Sequence, residues 1–253
     1  MLAAERRKII MEKLYEDKRV IVGELSREFD VSEETIRRDL EHLSLESNVT
    51  KTYGGAVLDE RSSIELPFNL RQKENPEGKQ KIGDLVAEEI NEGEHIFLDA
   101  STTGVFIAKS IKNKKNFTVI TNSVENVIEL ADSEDIEVIC TGGVLRQNSM
   151  SFRGSKALHS ISLWNADKVF LSCKGLDLEK GVTDGNEDVA GIKNAMFHAS
   201  LKRYLVVDST KFNKVGFAKI CDLKDIDVVI TDKEPSQKWL KAFEDMGIRC
   251  IYG

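Results

Sequence analysis

The chain has 253 residues, of which 41% are hydrophobic and 31% charged, enough apolar material for one or two globular cores. A formal net charge of −7 argues against a protein that coats nucleic acid by bulk charge, so any contact with a polyanion has to come from a local patch. The charged N-terminus (Glu5, Arg6, Arg7, Lys8) and the lack of a long apolar run predict a cytoplasmic protein with no membrane partner. Cys140, Cys173, Cys221 and Cys250 are scattered without zinc-ligand spacing, which predicts buried free thiols, no metal and no cofactor.

Residues Ala3 to Asp17 carry Ile9, Ile10 and Leu14 at helical spacing between charges, the pattern of an amphipathic first helix. After the apolar run Val20-Ile21-Val22, a second helix places Leu25 and Phe29 about one turn apart. Phe29-Asp30-Val31-Ser32 makes the break. Ser32 is an N-cap residue, and Glu33 and Glu34 follow where the helix dipole favours negative charge. The third helix spans 32–46, with Ile36, Leu40 and Leu43 on one face and Thr35, Arg37 and Arg38 pointing elsewhere. Two guanidiniums and a hydroxyl near a helix start suit a DNA-reading helix, because Arg forks onto phosphate or the guanine edge. Ser47-Asn48 reads as the stop signal, Asn tolerating the left-handed conformation. Val49 to Val57 reads as two extended pieces around the Gly54-Gly55 turn, a hairpin wing whose Lys51, Thr52 and Tyr53 can lie along a phosphate backbone.

Ten Lys/Arg against twelve Asp/Glu over residues 1–58 do not make a basic domain. A helical trio with a hairpin also suits a dimerisation or protein-docking module, and it is the tight helix-turn-helix spacing and the wing that favour DNA. Arg6 and the apolar positions after it, Ser32-x-x-Thr35-Ile36-Arg37-Arg38-Asp39-Leu40, and Tyr53-Gly54-Gly55-Ala56 together resemble the DeoR-type bacterial transcriptional regulators. The chain departs from the family pattern in having Ser47-Asn48 before the wing, where family members often have Gly.

From Leu58 the periodicity lapses into Asp59-Glu60-Arg61-Ser62-Ser63 and then Pro67 and Pro76 in a charged stretch. Residues 59–77 read as a linker between a 1–58 reader and a 78–253 domain. Ile82, Leu85, Val86 and Ile90 mark a helix. Short apolar runs follow at Ile96–Leu98, Val119-Ile120, Val138-Ile139, Val169–Leu171, Leu205–Val207 and Val228–Ile230, with helical stretches between several of them. Runs so uniformly apolar predict a mainly parallel sheet covered on both faces, an α/β domain.

Small polar residues follow those runs at the rim where open α/β sheets bind ligands. They are Asp99 with Ser101, Thr102 and Thr103; Thr121, Asn122 and Ser123; Gly142 and Gly143; Lys174; and Lys211. Hydroxyls and amides at strand-to-helix turns favour an anion, and a phosphate is the natural guest. Each motif alone is more often a cap and a turn, so it is their number on one sheet that points to a site. Asp99 is expected to bind sugar hydroxyls, with Arg153, Lys174 and Lys211 as phosphate partners. Lys193 reads as a residue of a solvated helix face, and Asp184 and Glu187 as loop residues within reach of a pocket.

This half resembles the effector domain of the same regulators, whose fold is similar to ribose-phosphate isomerases, sugar-phosphate deaminases and CoA transferases. The resemblance implies a phosphorylated sugar or related metabolite as ligand. It also implies carboxylates after Val169–Leu171, where this chain has Lys174 and only Asp177. The resulting expectation is a sugar-phosphate-responsive repressor that binds double-stranded operator DNA as a homo-oligomer, a single helix-turn-helix offering few base contacts. The competing expectation is a sugar-phosphate isomerase or deaminase with an accessory N-terminal domain.

Overall fold

The computed structural model describes residues 1–46, 49–58 and 67–253, and the chain divides into two units, Met1–Glu65 and Leu66–Gly253. The Ser47-Asn48 stop signal and the first part of the predicted linker lie outside the described residues.

The first unit runs α1 (Ala3–Asp17), β1 (Arg19–Ile21), α2 (Val22–Phe29), α3 (Glu33–Glu46), β2 (Val49–Thr52) and β3 (Gly55–Leu58). Ile10, Leu14, Leu25, Ile36 and Leu40 are buried together as its core. The apolar run at Val20 becomes β1, which pairs antiparallel with β3, so the wing is a three-stranded sheet in the order β1-β3-β2. The turn falls on Tyr53-Gly54, one residue earlier than the Gly-Gly reading places it. Gly55 opens β3 instead, and a Cβ there would meet the Val20 carbonyl oxygen at 1.9 Å. The break between α2 and α3 uses Asp30 in the left-handed conformation (φ 51°), one of the few non-glycine types that tolerates it.

In the second unit, α4 (Phe68–Lys73) and α5 (Pro76–Glu88) occupy most of the described part of the stretch read as linker. Prolines look like breakers in sequence, but here Pro67 precedes α4 and Pro76 opens α5, a position where its missing N–H costs nothing. Phe68 and Leu70 are buried, and α4 packs on α6. The buried Lys79 ammonium donates to the carbonyl oxygens of Arg71 and Glu74, capping the end of α4. Burial, with the nearby Lys211 charge, lowers its pKa to about 8.

The chain continues through β4 (His95–Leu98), α6 (Thr102–Ile111), β5 (Phe117–Thr121), α7 (Val124–Leu130), β6 (Ile136–Cys140), the hairpin β7 (Val144–Arg146) and β8 (Ser151–Arg153), and α8 (Ser155–Ser162). Then come β9 (Ala166–Leu171), β10 (Gly175–Asp177), β11 (Gly181–Asp184), α9 (Glu187–His198), β12 (Ser200–Val206), β13 (Ala218–Cys221), β14 (Val228–Thr231), α10 (Gln237–Asp245) and β15 (Arg249–Tyr252). Seven strands form one sheet in the order β15-β14-β12-β9-β4-β5-β6, every pair parallel. The six apolar runs are six of its strands. The seventh, β15, is a half-exposed edge strand whose Arg249 and Tyr252 break the apolar pattern.

Alternation along each strand feeds two cores. Phe97, Val169, Leu171, Leu205 and Val229 face α8, α9 and α10, while Ile96, Leu98, Phe170, Val206 and Ile230 face α5, α6 and α7. Trp239 on α10 is buried, stacks edge-on against Phe212 at 5.0 Å and donates its indole N–H to Asn213 Oδ1. The other tryptophan, Trp164, follows α8 and is partly exposed. Cys173 and Cys221 are buried free thiols, and burial pushes both up to about 12. Cys140 is exposed at the end of the edge strand β6. Among the described residues, no helix is long and apolar enough to cross a membrane.

Candidate functional sites

In the first unit the orientation of α3 is fixed from inside. Asp39, on the buried face of α3, accepts a hydrogen bond from Arg6 Nε at 2.6 Å, and both side chains are buried. Ser32 caps the helix: its Oγ accepts from the Thr35 amide at 3.2 Å and lies 2.9 Å from Thr35 Oγ1. With Ile36, Asp39 and Leu40 turned inward, Arg37 and Arg38 stand on the outer face, their side chains 52% and 78% exposed. Each is paired one turn back, Arg37 with Glu33 at 2.8 Å and Arg38 with Glu34 at 3.5 Å. Such exposed i,i+4 pairs are weak and exchangeable, so both guanidiniums can swing onto phosphate or a base edge. On the wing, Lys51 lies 3.3 Å from Glu41 Oε1, and Thr52 and Tyr53 are exposed. Replacing Ser32 by alanine is expected to lower the stability of the first unit by about 1 kcal/mol, the usual cost of a lost N-cap. Urea unfolding followed by circular dichroism of the helical signal measures it.

In the second unit the chain reverses direction across the sheet between β4 and β9, the crevice where doubly wound sheets hold ligands. Asp99 leaves β4 there and Ser172 leaves β9. Asp99, expected to bind sugar hydroxyls, is buried and already engaged. Its Oδ1 accepts from the Ser101 amide and hydroxyl, and its Oδ2 accepts from the Ser172 amide at 2.9 Å and lies 3.1 Å from Lys193 Nζ. Lys193 is a correction to the solvated-face reading. Far from facing solvent, it is buried and also donates to Asp184 Oδ2 at 2.8 Å and to the Ser172 carbonyl oxygen at 2.8 Å. Burial would push the Asp184 carboxyl up, but the Lys193 charge and hydrogen bond, with the Gly185 amide, hold it below the usual range. Burial would lower Lys193, and the two carboxylates raise it instead. The three side chains form a buried cluster in which one ammonium bridges two carboxyl groups.

The hydroxyl motifs build this rim as structural parts. Ser101 caps α6 by accepting from the Gly104 amide at 2.9 Å, and Thr102 and Thr103 are buried in the first turn. Ser123 caps α7 through the Asn126 amide. Thr121 donates to the Leu98 carbonyl oxygen at 2.7 Å. Gly142 and Gly143 both have positive φ (62° and 120°), and a Cβ at Gly143 would meet the Arg153 carbonyl oxygen at 2.6 Å, so Gly143 lets the β7–β8 hairpin approach.

A small cleft opens beside this cluster, lined by Ala100, Asn122, Ser151, Phe152, Arg153, Val189, Ile192 and Lys193. Of the residues singled out in sequence, Asn122 and Arg153 line it. Asn122 is buried, donates to the Phe152 carbonyl oxygen at 3.0 Å, and has no partner for its Oδ1 among the described residues. Arg153 Nε is likewise buried without a partner, while Nη1 meets Asp188 Oδ2. Lys174 and Lys211 stand elsewhere on the rim; the Lys174 amide donates to the Thr183 carbonyl oxygen, and Lys211 Nζ lies 3.9 Å from Asp208. Asp177 is not in the cleft either. Its Oδ1 accepts from the Lys180 and Glu179 amides at 2.9 Å, which closes the β10–β11 turn and lowers its pKa. Sequence reasoning missed Lys193 and the apolar wall of Phe152, Val189 and Ile192. The available signal was a lone cation three and four residues before Met196 and Phe197 on an apolar helix.

A winged helix-turn-helix with two outward arginines, joined to an α/β unit with a cation-lined cleft at its switch point, defines a DNA-binding regulator with a sensor domain. Two family models match accordingly: DeoR-like helix-turn-helix domain over residues 6–62 and DeoR C terminal sensor domain over residues 74–233. The uncharacterized HTH-type transcriptional regulator YulB of Bacillus subtilis is 40% identical, covering 98% of this chain and 96% of its own. The glycerol-3-phosphate regulon repressor of Escherichia coli is 30% identical, covering 98% of each. The chain belongs to the DeoR family and is a transcriptional regulator, which sets aside the expectation of an isomerase or deaminase. A solved ribose 5-phosphate isomerase A from Methanocaldococcus jannaschii aligns over 55% of each chain at 13% identity with a TM-score of 0.42.

Proposed function

We propose that this regulator represses genes of sugar metabolism in the cytoplasm by binding double-stranded operator DNA as a homo-oligomer, and that a phosphorylated sugar or related metabolite sets its DNA affinity. The observation that carries the reading is the pair Arg37 and Arg38, exposed near the start of a helix whose opposite face is pinned by Arg6 and Asp39. In this reading Arg37, Arg38 and Thr35 meet the major groove, and Lys51, Thr52 and Tyr53 follow the flanking phosphates. Repeated half-sites then supply the specificity that one short helix lacks.

The name of the Escherichia coli relative, a repressor of a glycerol-3-phosphate regulon, supports a phosphorylated ligand. So does the chemistry of the cleft: the Arg153 guanidinium, with its Nε unpartnered among the described residues, favours an anion, and the unpartnered Asn122 Oδ1 suits a hydroxyl donor. The ligand must prefer one of two arrangements of the protein, since equal affinity for both shifts nothing. The test is a thermal-shift screen of phosphorylated against free sugars, followed by fluorescence anisotropy on DNA from the upstream region of the protein's own gene. Stabilisation by phosphorylated sugars that also weaken DNA binding is the expected result. A response to free sugars alone overturns the sensor reading, and tight DNA binding that is indifferent to Arg37 and Arg38 overturns the reader.

A further inference from the structure

An ion pair joins the two walls of the cleft. Arg153 sits at the end of β8 on one wall, and Asp188 sits in the first turn of α9, which supplies the other wall through Val189, Ile192 and Lys193. Arg153 Nη1 meets Asp188 Oδ2, and the two side chains are 40% and 53% exposed, so the pair lies at the mouth of the cleft. Below it, Lys193 is buried and neutralised by Asp99 and Asp184, which leaves Arg153 as the cleft's cation with donors to spare. Asn122, nine-tenths buried or more on the cleft wall, keeps an unpartnered Oδ1 among the described residues.

We infer that Asp188 is an internal competitor for the anionic group of the ligand: it occupies the guanidinium that the ligand's phosphate needs, and its displacement frees the β8 wall from α9. The inference rests on the sensor reading above. A phosphate carries more charge than a carboxylate and offers three acceptor oxygens, so it can take both Arg153 Nε and the face now held by Asp188. A free sugar has hydroxyls for Asn122 but nothing to exchange for the carboxylate. The pair therefore acts as a filter for charge as well as a tie between the walls. Once displaced, Asp188 is not stranded, because it stays half exposed in the first turn of a helix whose dipole favours an acid there.

The test measures affinities of the full-length chain for ribose 5-phosphate, glycerol 3-phosphate, glucose 6-phosphate and inorganic phosphate by isothermal titration calorimetry. The variants are Asp188→Asn, Glu187→Gln and Arg153→Gln. Glu187 is exposed one residue earlier on the same turn and is not the partner of Arg153. The competitor predicts that Asp188→Asn binds the best phosphorylated probe about 3- to 10-fold tighter, in keeping with the modest strength of an exposed pair. Glu187→Gln changes it by less than about twofold. Arg153→Gln weakens binding at least tenfold, and adding Asp188→Asn to it restores nothing. Equal tightening in Asp188→Asn and Glu187→Gln overturns the inference in favour of bulk charge. Unchanged or weaker binding in Asp188→Asn, with the wild type binding normally, overturns it while leaving the sensor reading intact. Failure of every phosphorylated probe to bind wild type and Asp188→Asn alike overturns both.

Discussion

Replacing Arg37 and Arg38 together by alanine is expected to lower affinity for operator DNA by about a hundredfold or more, at about 1–3 kcal/mol for each lost base contact. The slope of log affinity against log salt should also shallow for whichever guanidinium sits on phosphate. Folding should barely change. Neither side chain is part of the core, and each loses only an exposed i,i+4 partner worth a few tenths of a kcal/mol. Anisotropy titrations across a salt series, with circular dichroism melts of the same samples, separate the two effects. Full affinity in the double variant would remove α3 from the interface and return the first unit to the docking-module reading.

Replacing Lys193 by alanine should be the most damaging single change in the second unit. It leaves Asp99 and Asp184 buried and facing each other without a cation, and breaking a buried pair from one side costs about 3–5 kcal/mol. The pH dependence identifies the cause. Asp184 is held below its ordinary range in the folded chain, so its contribution is present above the unfolded carboxylate pKa of about 4 and lost as pH falls through the folded value. Without Lys193 the sign reverses, because burial alone raises the Asp184 carboxyl. The variant then binds protons on folding, and its deficit against wild type, largest near neutral pH, should shrink toward about pH 4. Urea unfolding at several pH values measures this. A deficit that is flat with pH would mean that Lys193 contributes packing and not charge.

The first unit was legible in sequence because its signals are local. The bounds of α1, the Ser32 cap and the inward set Ile36, Leu40 and Leu43 follow from periodicity within a few residues, and each partner lies within a turn or two. The six apolar runs were legible for a related reason: a strand covered on both faces has no polar positions to confuse the pattern. The site was harder. Ser101 and Ser123 look the same in sequence whether they cap a helix or hold a ligand, and the structure gives both to caps. Asp99 looked available because the groups that engage it, the Ser172 amide and Lys193, are far along the chain and reach it only when β4 and β9 lie side by side. Lys193 looked solvated because charge on a helix usually is. The two prolines misled in the other direction, starting helices where composition alone suggested a linker.

Both tryptophans of the chain, Trp164 and Trp239, fall in the second unit. Indole emission is therefore a one-sided optical reporter: excited selectively, it registers melting of the sensor half and stays blind to the DNA reader. Tyr53, at the bare tip of the wing, is the natural place for a second dye, so one labelled sample would give each half its own colour.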